Sequence, residues 1–186
     1  MSAVPKLEVV TVAEYVAFDA AHDGRHELID GEIVAMAGAT REHIRVTQNV
    51  WRSLDRALSK RGCEAFIAEL RVAVQDDELY AYPDVVVVCG DQQVTKDIPE
   101  TLLNPTVLVE VLSPSTAARD RGPKATSYRN LATVTDVLLV DPKRRVIEHY
   151  RRLSPTEWHL AKVRAGVVTV QGVGVSLTVE EIFTGV

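Results

Sequence analysis

The apolar positions of this chain follow two periods, and the places where one gives way to the other mark out its elements. Between Arg41 and Lys60, Ile44, Val50 with Trp51, Leu54 and Leu58 recur every three to four residues. That spacing predicts the longest helix of the chain, with one face packed on a sheet. Thr40 stands at its N-cap position, and Arg61-Gly62 ends it. A shorter helix is expected over 11–20, where Thr11 and Glu14 have capping-box spacing ahead of Val12, Tyr15, Val16 and Phe18. Between these helices, His26 to Met36 alternates around Asp30-Gly31, a turn pair that predicts a hairpin. On its first strand Glu27 shares a face with Ile29.

The pattern then changes. Glu64 to Val74 reads as one strand. Val85 to Cys89, opened by Tyr82-Pro83-Asp84, and Thr106 to Leu112, opened by Asn104-Pro105, are nearly unbroken Val/Leu runs. Such runs suit strands covered on both faces in the middle of a sheet. The polar stretch from Gly90 to Leu103 is expected to be a mobile loop. Residues 115–132 have helical composition interrupted by Gly122-Pro123, so the main helix should begin near Pro123, with Thr116 to Arg121 as a turn before it. Asp136 to Val140 and Val146 to Tyr150 form a second hairpin. The tail, 157–177, reads as short strands, and Val179 to Phe183 as a helical turn. No repeat or linker splits the chain. The whole of 1–186 is therefore expected to be a single α/β domain, a mixed sheet flanked by helices with extra C-terminal strands.

Composition narrows the class. Aromatic residues make up only 5%, which disfavours a sugar-binding platform and leaves the core to Val, Leu, Ile and Ala. No apolar run reaches the roughly 20 residues that span a bilayer, and Met1 to Val10 lacks the pattern of a signal peptide. Cys63 and Cys89 match no metal spacing. Cys89 ends an apolar run and reads as a small buried hydrophobe, and a reducing cytoplasm is the expected compartment. The formal net charge is −5, too acidic for a protein that coats nucleic acid. Its distribution is uneven: residues 1–118 carry −9, residues 119–152 carry +5 and the remainder −1. A basic segment beside acidic motifs suits a site holding a metal and a phosphate together. A solvated, salt-bridged surface would give the same charges.

The acidic motifs carry the chemistry. Asp84 opens a buried strand; taken alone it could be an ordinary turn residue. Glu110 shares a strand face with Leu108 and Leu112. An ionised carboxylate there costs several kcal/mol unless it is paired or bound to a metal. If the two strands are neighbours, ~4.8 Å apart, both carboxylates can converge on one hard cation. Oxygen ligands with room for water favour magnesium, or manganese in its place, over zinc. Lys124 opens the next helix, where it could orient or deprotonate an attacking water or neutralise charge on a phosphorane.

Five segments in order carry a resemblance: Arg25 to Glu32, Tyr82 to Val87, Leu108 to Thr116, Asp120 with Lys124 and Tyr128, and Leu139 to Pro142. They resemble the Uma-two family of restriction-endonuclease-like proteins, part of the PD-(D/E)XK nuclease superfamily, over about Thr11 to Tyr150. The resemblance implies a magnesium-dependent endonuclease acting on nucleic acid, DNA rather than RNA, and permits a homodimer. It also implies that Asp84 and Glu110 bind the metal with the Val111 carbonyl. The superfamily lysine falls two residues after the acid. Here that position is Leu112, and Lys124 resembles a migrated replacement. Glu27 resembles an additional acid that could serve a second metal or hold Lys124. His43, Asp120 and Tyr128 are expected around these residues, and Arg119, Arg121 and Arg129 could hold flanking phosphates. Two other readings use the same residues: a nuclease fold that binds without cutting, and an interaction domain in which an arginine neutralises Glu110.

Overall fold

The computed structural model describes residues 9–36, 38–67, 69–74, 79–96 and 100–186. Helix α1 (Val12–Ala21) starts with the expected capping box. The Thr11 hydroxyl accepts from the Glu14 N–H, and Glu14 Oε2 accepts from the Thr11 N–H at 2.8 Å. Strands β1 (His26–Ile29) and β2 (Glu32–Ala35) pair across Asp30 and Gly31, whose φ values of 51° and 74° are those of a hairpin turn. Helix α2 (Arg41–Leu58) is capped by the Thr40 hydroxyl. Its buried stripe is Val46, Val50, Leu54 and Leu58. Ile44, expected on that stripe, is instead 45% exposed, because Val46 takes its place in the packing.

The remaining strands are β3 (Cys63–Ile67), β4 (Arg71–Val74), β5 (Leu79–Ala81), β6 (Val85–Cys89), β7 (Thr101–Leu102), β8 (Val107–Val111), β9 (Asp136–Asp141), β10 (Val146–Ser154), β11 (Glu157–Val163), β12 (Val167–Val170) and β13 (Val175–Thr178). Between β8 and β9 lie α3 (Ala117–Arg119), a kinked turn over Asp120–Lys124 and α4 (Ala125–Asn130). Helix α5 (Val179–Ile182) closes the chain. The kink falls where the Gly-Pro pair predicts it: Gly122 has φ −93° and ψ −107°, outside the helical region.

Two main sheets form rather than one. The larger has the order β11-β10-β9-β8-β6-β3. It is mixed, with β8 and β9 parallel and its other pairs antiparallel. The parallel pair is joined by the crossover through α3 and α4, as parallel strands require. The smaller has the order β2-β1-β5-β4-β7, and β12 pairs with β13 as a separate hairpin. The run from Glu64 to Val74 is therefore not one strand. It serves β3 at the edge of the larger sheet and β4 inside the smaller one.

Alternation along β6 and β8 separates two cores. Val85, Val87, Val107, Val109 and Val111 pack with α2 and the C-terminal hairpin. Val86, Val88, Leu108 and Leu112 pack with Tyr128 of α4 and with Val72 and Val74 of the smaller sheet. Both strands are covered on both sides, as their unbroken apolar sequence requires.

Two further expectations change. The 90–103 segment is not a free loop. Asn104 holds its start by accepting from the Gln93 N–H and donating to the Asp91 carbonyl, and β7 pairs with β4. Residues 97–99 lie outside the described ones. Cys89 is not a free thiol. Cys63 and Cys89 are register partners on β3 and β6, their Cα atoms 4.0 Å apart, and they form a disulfide. Spacing in sequence carried no hint of that register. No helix among the described residues is long and apolar enough to cross a membrane.

Candidate active site

The end of the larger sheet where β6 begins and β8 finishes brings the predicted acids together. Strands β6 and β8 are antiparallel neighbours, with Val85 opposite Val109. Continuing that register brings Asp84 level with Glu110, and its Oδ2 accepts the N–H of the next residue, Val111, at 2.7 Å. Glu110, the residue before Val111, points to the face covered by α4. It is 4% exposed. Its Oε1 accepts the Tyr128 hydroxyl at 2.7 Å and meets Lys124 Nζ at 2.8 Å.

Lys124 reaches this point because the kink at Gly122-Pro123 turns the chain before α4, so that an almost fully buried lysine closes over the sheet. Its Nζ also donates to Glu27 Oε1 at 2.9 Å and lies 3.6 Å from Asp120 Oδ1. Glu27, delivered by β1 of the smaller sheet, accepts the Tyr82 N–H on the same oxygen, which ties it to the segment leading into Asp84. From the other side, α2 contributes His43, whose Nε2 is 3.3 Å from Asp84 Oδ2.

This neighbourhood carries an excess of negative charge. Four carboxylates, those of Glu27, Asp84, Glu110 and Asp120, face one ammonium and one imidazole. Burial, with the charges of Asp120, Asp84 and Glu27, pushes the Glu110 carboxyl well above the usual carboxylate range despite Lys124. Burial likewise raises Asp120 against the opposing pull of Lys124 and Thr116. Burial works to lower the Lys124 pKa, but Glu110, Glu27 and Asp120 outweigh it and hold the ammonium above the ordinary lysine range. Tyr128, raised by burial and by Glu110, remains a phenol that donates its proton. For His43, burial alone would lower the pKa. The hydrogen bond and charge of Asp84, together with a backbone bond at Val111, reverse the direction.

A hard divalent cation fits this donor set. Among the described residues, the contacts of Asp84 all fall on Oδ2 and those of Glu110 all on Oε1. One oxygen of each carboxylate is thus left for a ligand. Among the described residues, no group of three or more His, Cys, Asp or Glu side chains is placed to hold a metal ion, so a cation here would rest on two carboxylates. Two carboxylates and a backbone carbonyl, with remaining positions open to water, match magnesium's coordination habit rather than zinc's.

The three arginines expected to hold phosphates fare differently. Arg121 is committed within the protein, its Nη2 2.8 Å from Glu148 and 3.0 Å from Asp141. That clamp fastens the kink to β9 and β10, and no local pattern around Arg121 announces it. Arg129 donates to the Ala125 carbonyl and stacks 4.7 Å from the Tyr150 ring centre. The side chain of Arg119, half-buried on α3, makes no hydrogen bond or ion pair among the described residues. Much of the positive charge of residues 119–152 is similarly engaged. Arg152 donates to the carbonyls of Arg129, Leu131 and Val134, and Arg145 to those of Phe183 and Val186.

Together, the mixed sheet and the acid–acid–lysine cluster at its end define a protein of the restriction-endonuclease-like class. The sequence profile of the Uma2 family, described as "putative restriction endonuclease", matches residues 12–180, and the chain belongs to that family. It is 32% identical to the uncharacterized protein sll1609 of Synechocystis sp. over 88% of this chain and 92% of the other. It is 28% identical to slr1290, also uncharacterized and from the same organism, over 92% and 90%. The fold is that of a crystal structure described as a putative nuclease belonging to DUF820 from Anabaena variabilis. The TM-score is 0.67 at 17% identity, covering 94% of this chain and 98% of that one.

Proposed function

We propose that this protein is a magnesium-dependent endonuclease that hydrolyses phosphodiester bonds of DNA, with Asp84, Glu110 and Lys124 as its core. The observation that carries the reading is the convergence of Asp84 and Glu110 through the Val111 amide, with the Lys124 ammonium 2.8 Å from Glu110. Asp84 and Glu110 would hold the ion through their second oxygens, with the Val111 carbonyl beside them. An ion held there would supply Lewis-acid chemistry toward a phosphodiester and its attacking water. Lys124 acts as a fixed positive charge. Its three acidic neighbours keep it protonated, which favours stabilising phosphorane charge and orienting water over accepting a proton. Glu27 and Asp120 hold that ammonium in place, and the Tyr128 hydroxyl keeps Glu110 turned toward it. Arg119 is the arginine best placed to meet a flanking phosphate, since Arg121 and Arg129 are engaged elsewhere. The restriction-endonuclease description of the family supports DNA as substrate.

Purified protein with Mg²⁺ or Mn²⁺ should nick supercoiled plasmid, and Asp84→Ala or Glu110→Ala should abolish nicking. Unchanged nicking by both variants would remove this cluster from the reaction. The second reading, a nuclease fold that binds without cutting, draws on Leu112 standing where the superfamily lysine belongs. Calorimetry separates the two. Divalent-metal binding that disappears in Asp84→Ala supports a live centre, and its absence from the wild type supports the binding module.

A further inference from the structure

One buried polar group beside the site has no role in the scheme above. Thr47 is 4% exposed, and its hydroxyl has no hydrogen-bond partner among the described residues. Leaving a buried hydroxyl in that state is unfavourable, so its retention beside the Val and Leu stripe of this helix asks for a ligand.

Two fixed contacts place it. At one end of the same helix face, His43 touches Asp84 at the start of β6. At the other, Trp51 Nε1 donates to the Ala65 carbonyl at 2.8 Å, and Ala65 is the register partner of Val87. The eight residues from His43 to Trp51 rise ~12 Å along the helix. The three from Asp84 to Val87 advance ~10 Å along the strand. Thr47, midway at i+4 from both, falls beside Val85, one residue from Asp84. Helical side chains lean toward the helix N-terminus, so the Thr47 side chain leans back toward the His43–Asp84 contact. There, Oδ2 is engaged by His43 and Val111, whereas Asp84 Oδ1 takes no protein hydrogen bond among the described residues and, with two lone pairs, can accept from a water as well as face an ion.

We propose that Thr47 is a positioning residue of the active site, its hydroxyl holding an ordered water against Asp84 and thereby fixing the aim of that carboxylate. The water has enough polar partners in Thr47, Asp84 and the His43 ring to be bound stably. The consequence for metal affinity rests on the nuclease reading above. The water site itself does not.

Thr47→Val keeps the shape of the side chain and removes the hydroxyl, Thr47→Ser restores the hydroxyl, and Thr47→Ala serves if the valine variant does not fold. Metal-free melting curves and Mn²⁺ titrations are measured on each. The proposal expects Thr47→Val to melt about 2–4 °C lower than wild type and to bind Mn²⁺ roughly tenfold more weakly, the usual effect of losing a support behind a metal ligand. Thr47→Ser should lie close to wild type in both. A hydroxyl with no ligand predicts the opposite, a higher melting temperature for Thr47→Val with unchanged Mn²⁺ affinity, and that result overturns the proposal. So does unchanged affinity alongside a lower melting temperature. Wild-type protein that binds no Mn²⁺ sinks the nuclease reading instead. The melting curve then decides for Thr47, a fall retaining the water site and a rise removing it.

Discussion

Arg71 and Lys124 are both cations buried to within 5% of complete, and both are met by carboxylates, yet their surroundings are built for different ends. Arg71, on β4, pairs with Asp19 of α1 at 3.1 Å, donates to the Thr101 hydroxyl at 2.7 Å and lies 5.6 Å from the ring centres of both Tyr15 and Tyr80. Asp19 in turn receives His26, and the Tyr15 hydroxyl donates to the His26 carbonyl. Charge is matched within that cluster, and its work is to fasten α1 to the smaller sheet. Lys124 instead faces three acids, with Asp84 close behind, and the surplus is not neutralised among the described residues. Balance marks a buried ion pair that organises the fold, and imbalance marks one arranged around a cation still to come.

The sharpest way to break this comparison is to remove each cluster's centre. Arg71→Met leaves the buried Asp19 carboxylate with only the His26 ring as partner and should cost about 3 kcal/mol, read as a large drop in denaturant midpoint that added Mg²⁺ does not repair. A loss below about 1 kcal/mol would show that the Arg71 cluster is not structural in the sense argued here.

A smaller effect, of opposite sign, is expected at the site. A carboxyl whose pKa is raised on folding opposes stability above its unfolded pKa, and the penalty grows as pH rises toward the folded value. Glu110 is raised by burial and by its acidic neighbours. Glu110→Gln should therefore make the metal-free protein more stable at neutral pH and flatten its loss of stability from about pH 5 upward, while cutting nicking activity on the order of 10²–10³-fold. Metal-free melting that is lower in Glu110→Gln than in wild type would mean that the pair with Lys124 outweighs the crowding of acids, and the contrast with Arg71 would dissolve.

How far these clusters could be read in advance depended on whether their members were local in sequence. Glu110 was legible because a charge inside an almost unbroken Val/Leu run has few innocent explanations, and Asp84, an ordinary turn residue on its own, because consecutive buried strands tend to be neighbours. The Asp30-Gly31 hairpin, the Thr11 and Thr40 caps and the Gly122-Pro123 kink were legible from local backbone chemistry. Lys124 was reached through its family resemblance, since a lysine opening a helix is otherwise a surface residue. The Arg121 clamp was not visible, because Asp141 and Glu148 lie 20 and 27 residues away on strands whose register only the folded protein fixes. Register also concealed the Cys63–Cys89 bridge and the division of Glu64 to Val74 between two sheets. Arg71 stands in an alternating apolar stretch, and nothing near it in the chain announces Asp19 as its partner.

The smallest expected effect tests whether His43 belongs to the site as its contact implies. Its pKa is raised on folding because Asp84 and the Val111 backbone outweigh burial. A histidine of this kind adds stability that is fully present below its unfolded pKa, about 6.5, and that disappears as pH rises through the higher folded value. His43→Gln should therefore melt below wild type near pH 6, with the gap narrowing toward pH 8. Both partners are partly solvated, their side chains 17% and 18% exposed, so the gap is modest and should shrink further in salt. A gap that stays constant with pH would assign His43 to packing alone. One that widens toward alkaline pH would mean that the neutral ring, not the imidazolium, is the form that Asp84 holds.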